Sequence, residues 1–175
     1  MVLNLVRRRT DGQLHPVFLT ERPTPSVPRQ VNDNDDVAVA GGGSHWSLLA
    51  YLRAENAFAH FDSAGGRNDA AAARLAKTLA DALRLEKKPA FVSERSGSPR
   101  QENGYDCGVF ALATARAARR LVAREGAGGA TANRLATRVA CEVTPSAAGK
   151  FRSELVDTVR ALTDARATAG RARVA

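Results

Sequence analysis

WSLLAYL at residues 46–52, RAEN at 53–56 and AFAHFDS at 57–63 form the stretch on which the fold turns. The first run is apolar almost throughout and reads as a largely buried strand. The last alternates well enough to be its partner across a polar turn. Two registers are open for this hairpin. A two-residue loop pairs Leu52 with Glu55 and sets His45 opposite Asp62, whereas a four-residue loop pairs Leu52 with Ala57 and sets Ser47 there. Paired residues point the same way, as do residues two apart, so His45 and Asp62 share a face in both. Only a one-residue slip separates them.

Downstream, Asn68 or Asp69 is placed to cap a helix running to about Leu83 on a stripe of Leu75, Leu79, Ala82 and Leu83. AFVS at 90–93 suits a short strand. The loop ERSGSPRQENGYD then leads into a helix from about Cys107 to Arg124, buried through Val109, Phe110, Leu112, Ala113, Ala117 and Leu121, with arginines on its other face. Gly126, Gly128 and Gly129 break the chain, and Pro145 opens a last helix to about Ala165 carrying Phe151, Leu155, Val159 and Leu162. Helices and an antiparallel hairpin, segregated rather than alternating, make the fold class α+β. Upstream, residues 1–30 hold four of the seven prolines. TERPTPSVPRQ there reads as a loop or extended linker, because proline lacks an N–H and biases its neighbours to extended conformations. VNDNDDVAVAGGGS at 31–44 is turn-rich, and its three consecutive glycines let the backbone swing or approach something closely.

With 175 residues, 44% of them hydrophobic, the chain suits one globular domain with its own core. No stretch approaches the roughly 18 apolar residues of a membrane span, and MVLNLVRRRT lacks the apolar core of a signal peptide. A cytoplasmic or nuclear protein without a membrane partner is expected. Cys107 and Cys141 stand in unlike contexts and are too few for a disulfide framework, so each reads as a free thiol. The formal charge of +8 would suit an acidic partner. The 26 basic residues are scattered, however, from Arg7–Arg9 through Arg116, Arg119, Arg120 and Arg124 to Arg166, Arg171 and Arg173. No zinc-finger spacing or aromatic interleaving accompanies them, so no specific nucleic-acid partner is read from them.

QENGYDCGVF puts a cysteine at the start of a helix directly after a polar, glycine-containing loop. Free N–H groups and the helix dipole stabilise a thiolate at that place. A cysteine is otherwise most often a small apolar core residue, so position alone does not make Cys107 a nucleophile. His45 follows the glycine run at a strand end, from which its ring reaches a cleft. Asp62 offers the acceptor that fixes one ring N–H and turns the other nitrogen outward. Taken singly, each is an ordinary strand-edge histidine or turn aspartate. His60, on the same face as Asp62, and the isolated His15 are reminders that histidine here is not automatically catalytic.

Together, GGSHWSLLAY, then AFAHFDS with its aspartate seventeen residues after His45, then PRQENGYDCGVFAL with Gln101 six residues before Cys107, resemble the ubiquitin-like-protein proteases of the SUMO-protease superfamily. The resemblance covers about residues 31–163 and implies a papain-like cysteine protease fold. A divergent, poorly ordered segment at 1–30 would precede that domain, and a basic flexible tail at 164–175 would follow it. VNDNDD ahead of GGSHWSLL looks most like the deneddylase branch, which acts on the cullin-modifying ubiquitin-like protein. By this resemblance Cys107 attacks, His45 is the base, Asp62 holds it and Gln101 donates to the oxyanion. Trp46 would cover the channel for a Gly-Gly tail, with Asn32, Asp33, Asn34 and Gly43 in the substrate-binding set. The family implies no metal and no organic cofactor. The partner would be a ubiquitin-like modifier of the neddylation type, with SUMO second, and the chain a monomer.

Family members carry several tens more residues before the histidine, including helices that contact the modifier, whereas 44 precede His45 here. TERPTPSVPRQ also stands between PVFL and VNDND, which run almost together in relatives. The expectation is a domain lacking its N-terminal half, and a poor protease on its own. Two other readings belong to different classes. One is an acyl-CoA-dependent acetyltransferase sharing the order His, acid, Gln, Cys, for which no residue speaks. The other is a protein that docks a modifier without cleaving it.

Overall fold

The computed structural model describes residues 28–34, 43–94, 97–126, 129 and 131–172. Most of the proline-rich segment, Gly41, Gly42, Gly128 and the last three residues lie outside the described residues. In chain order the elements are β1 (Pro28–Asn32), β2 (Trp46–Leu52), β3 (Ala57–Phe61), α1 (Asp69–Ala82), β4 (Ala90–Ser93), α2 (Cys107–Glu125), α3 (Ala132–Glu142) and α4 (Pro145–Ala172).

The hairpin takes the four-residue register, with Leu52 opposite Ala57 and Leu48 opposite Phe61. One 3-10 turn at Arg53–Glu55 closes on Asn56, whose φ of 46° lies in the left-handed region that asparagine tolerates. The Asn56 side chain locks the turn, accepting from the Tyr51 hydroxyl at 3.0 Å and donating to the Lys87 carbonyl at 3.1 Å. β1 adds antiparallel to β2, and β4, returning after α1, adds parallel to β3, giving the order β1-β2-β3-β4.

Both faces of this sheet are covered, which is why β2 reads as a nearly unbroken apolar run. Leu48, Ala50, Leu52, Ala59 and Phe61 pack with Phe110, Ala117, Leu121, Leu135, Val139 and Phe151 from α2, α3 and α4. Val31, Leu49, Tyr51 and Phe58 pack on the other side with Ala72 and Ala76 of α1. At about 25 cal/mol per Å² of apolar surface, these two clusters are what hold the helices to the sheet.

Several details differ from the sequence expectation. β1 begins at Pro28, three residues inside the segment read as linker. As an edge strand it needs one partner only, and a proline at its first position costs no ladder bond. α3 was not anticipated. Thr131 caps it by accepting from the Arg134 N–H at 3.3 Å, and Leu135, Ala136 and Val139 bury its inner face. α4 runs on through Ala172, so residues 164–172 are helical rather than a flexible tail. Its stripe is only half used: Phe151 is buried, but Val159 and Leu162 are each 61% exposed because the helix extends past the body of the fold. Leu112 on α2 and Ala82 and Leu83 at the end of α1 are exposed as well, while Ala72 and Ala76 take the inner positions of α1.

Candidate active site

His45 and Asp62 meet at the end of the hairpin. His45 Nε2 lies 2.6 Å from Asp62 Oδ1, with both residues almost completely buried. Asp62 is a carboxylate held from several sides. Oδ1 also accepts the Ala64 N–H at 2.8 Å, Oδ2 accepts the Asn68 N–H at 2.8 Å, and its own N–H donates to Ser98 Oγ at 3.0 Å. A carboxylate accepts only, so the histidine proton sits on Nε2 and Nδ1 is left as the ring's basic nitrogen.

The loop entering β2 is fixed from β1. Asp33 accepts from the N–H groups of Ser44 at 2.5 Å and His45 at 2.9 Å through one oxygen, and from the Ser44 hydroxyl at 2.8 Å through the other. Arg67 adds a bond to Ser44 Oγ at 2.6 Å and lies 3.7 Å from Asp33. Although burial opposes it, these hydrogen bonds win and lower the Asp33 pKa to about 2. Asn32 bonds the His45 carbonyl at 3.4 Å and, through its Oδ1, the Asn34 N–H at 2.7 Å. Gly43 has a φ of 82°, and a Cβ there would collide with the Asn32 and Asp33 side chains, so only glycine fits. Asn32, Asp33, Asn34 and Gly43 thus set the path of the main chain into His45.

Cys107 is the first residue of α2 and is buried, whereas Cys141 on α3 is exposed; both are free thiols. A Cβ on Gly108 would touch Trp46 Cδ1 at 3.9 Å, so the first turn of α2 lies against the residue next to His45. Among the described residues no hydrogen bond joins the Cys107 thiol to the His45 ring. Trp46 is 41% exposed and borders a narrow recess with Phe61, Asp62, Ser63, Pro99 and Phe110.

Gln101 lies in the loop before α2 with its amide oriented. Oε1 accepts from the Ser63 hydroxyl at 2.7 Å, and Nε2 donates to the Asn103 carbonyl at 2.6 Å, leaving one N–H for another acceptor. Asn103 also ties down Asp106, donating to its carboxylate at 2.6 Å and accepting its N–H at 2.9 Å. Arg152 of α4 meets the other Asp106 oxygen and lies over the Tyr105 ring, 5.0 Å from its centroid. The sequence reading passed over this clamp, since nothing local links Arg152 to Asp106. Among the described residues no group of three or more His, Cys, Asp or Glu converges as metal ligands do. No helix there is long and apolar enough to cross a membrane.

His60, on the same sheet face as Asp62, forms a second pair. Its Nδ1 lies 2.8 Å from Asp69 Oδ1 and its Nε2 lies 2.9 Å from Ser47 Oγ. Burial lowers its pKa against the pull of Asp69, which favours a neutral ring.

The family model described as Ulp1 protease family, C-terminal catalytic domain, matches residues 31–125. Among curated proteins the chain is 44% identical over 103 residues to "NEDD8-specific protease 1" of Arabidopsis thaliana, covering 59% of this chain and 44% of that protein. It is 42% identical over 88 residues to "Sentrin-specific protease 8" of Homo sapiens, covering 50% of this chain and 40% of that one. The chain thus spans roughly two fifths of the length of these relatives. A solved structure of the C-terminal Ulp1 protease domain in complex with Smt3, the yeast orthologue of SUMO, matches with a TM-score of 0.36 at 19% identity. That match covers 66% of this chain and 48% of that one.

Proposed function

The chain belongs to the Ulp1 protease family, and from that premise we propose that it is a cysteine isopeptidase cleaving after the C-terminal Gly-Gly of a ubiquitin-like modifier of the neddylation type. The observation that carries the proposal is the buried His45–Asp62 pair, which commits Nε2 to the carboxylate and leaves Nδ1 as the basic nitrogen, while α2, beginning at Cys107, lies against the neighbouring Trp46. In the reaction the Cys107 sulfur adds to the terminal glycine carbonyl carbon and its proton passes to His45 Nδ1. That proton then goes to the departing amine as the C–N bond breaks. Water, deprotonated by the same nitrogen, next hydrolyses the thioester and restores the thiol. Asp62 holds the imidazolium, and the free N–H of Gln101 serves the tetrahedral oxygen, a donor worth about 2.7–4 kcal/mol of barrier. Trp46, exposed beside the first turn of α2, suits an extended tail without side chains.

NEDD8-specific protease 1 among the relatives supports the choice of modifier. The test is to incubate the chain with NEDD8 and SUMO carrying electrophilic C-termini. The expected result is a covalent adduct at Cys107 that forms faster with NEDD8 and is absent in Cys107→Ala. An adduct with SUMO alone overturns the modifier, and binding of either without an adduct overturns the enzyme in favour of a docking protein.

A further inference from the structure

Asn68 occupies the position where a helix cap belongs and does not cap. It immediately precedes α1, yet its side chain makes no bond to the first turn of that helix. Asparagine at this position normally accepts such a bond, worth roughly 1 kcal/mol. Instead the side chain is 1% exposed and turned into the sheet. Nδ2 lies 3.1 Å from Ser47 Oγ, 3.2 Å from the His45 carbonyl and 3.4 Å from the Val31 carbonyl, while Oδ1, the atom that would have capped, is buried and accepts nothing from the described residues. An unmet buried acceptor is costly, so a residue that keeps one while giving up a cap is being held for another purpose.

The polarity of the surrounding bonds follows from the donor inventory. Asp69 accepts only, so His60 donates from Nδ1 and its Nε2 is an acceptor. The Ser47 hydroxyl therefore donates to Nε2, which leaves Ser47 Oγ to accept from Asn68. Ser93 donates to the same Asp69 oxygen at 2.7 Å. Asp69, also at the start of α1, thus anchors a directed chain of hydrogen bonds that ends by aiming the Asn68 amide at the His45 main chain.

We propose that Asn68 is a positioning residue for the His45–Asp62 pair, its main-chain N–H fixing Asp62 Oδ2 and its side-chain amide, oriented through Ser47, His60 and Asp69, fixing the carbonyl of His45. The inference rests on the protease reading for its consequence, but its geometry is readable without turnover.

The test separates positioning from capping. Asn68→Asp and Asn68→Gly both leave a competent cap residue, so a capping role predicts wild-type behaviour from each. Positioning predicts that both lose the side-chain donors. In 15N-histidine-labelled chain the low-field proton of His45 Nε2, identified by its loss in His45→Ala, should shift or broaden in both variants. Adduct formation at Cys107 should slow about 100-fold, the scale of a misplacement near 1 Å. Asn68→Gly introduces no buried charge and serves if Asn68→Asp fails to melt cooperatively. A wild-type resonance and wild-type labelling rate in Asn68→Gly overturn the proposal, as does a lost resonance with an unchanged rate. If wild-type chain itself forms no adduct, the protease reading has failed and the resonance alone decides whether Asn68 positions His45.

Discussion

α1 and α3 begin with the same kind of residue put to opposite uses. Thr131 gives its hydroxyl to the first turn of α3, whereas Asn68 and Asp69 send their side chains away from α1 into the polar interior beside His45. At the half-buried start of α3 the Ala132 N–H donates to Glu55 of the hairpin turn at 2.7 Å, and the Thr131 hydroxyl serves its own helix alone. That of α1 lies against the hairpin end, where the His45 carbonyl accepts from the Asn68 amide and the His60 ring donates to the Asp69 carboxylate. The comparison teaches that a helix start beside a buried polar pair is a supply of oriented hydrogen bonds, and that the helix can be made to forgo them. α2 is a third case: Asp106 makes no side-chain cap, and its carboxylate is occupied by Asn103 and Arg152.

The largest effect should come from the start of α2. Cys107→Ala should abolish adduct formation at unchanged melting temperature, while Cys141→Ala, at an exposed site away from a helix start, should leave the rate intact. Equal losses from both, measured by intact-mass analysis after probe treatment, break the assignment of the thiol.

Next comes the interior of the α1 network. His60→Ala removes a fully buried ring and its bonds to Ser47 and Asp69, which should destabilise the fold by about 3 kcal/mol in denaturant titration. A pH dependence sharpens this. Because the folded pKa of His60 lies below its ordinary 6.5, the unfolded chain gains a proton first as pH falls. Stability from the neutral ring is therefore present above pH 6.5 and lost as pH drops from there through the folded value. Melting curves of His60→Gln should be flatter than wild type on that acid limb. The Asp33 contribution, whose pKa is depressed to about 2, is held above its ordinary 3.8 and lost only below it, a separate window. Parallel acid limbs for wild type and His60→Gln would show that His60 is not the titrating group.

The smallest effect belongs to α3. Thr131→Ala should cost about 1 kcal/mol in the same titration and leave Cys107 labelling unchanged, as a cap that serves only its helix must. A slowed labelling rate would erase the contrast with Asn68.

What the residues disclosed in advance follows the range of the forces involved. The hairpin, the shared face of His45 and Asp62 and the start of α2 at Cys107 depend on neighbours a few positions away, and strand alternation holds in either register. β1 escaped because an edge strand with a single inward apolar residue, Val31, carries almost no periodic signal. α3 did carry one, in Thr131 followed by Leu135, Ala136 and Val139, and the glycines before it drew attention to a break instead. The α4 stripe was visible, but not where the body it packs on would end. Asn68 was read as a cap because its identity is the same whether its amide serves the helix or the sheet.

His45 and Asp62 stand 17 positions apart across one hairpin, while Cys107 follows His45 by 62. A hairpin closes in about 1–10 μs, and a ribosome adds about 5–20 residues per second. During synthesis, then, the segment from His45 to Asp62 is made several seconds before Cys107. On the proposed mechanism the later docking of α2 brings the thiol to that pair, so the nascent chain would carry no activated sulfur until the sheet beneath it is built.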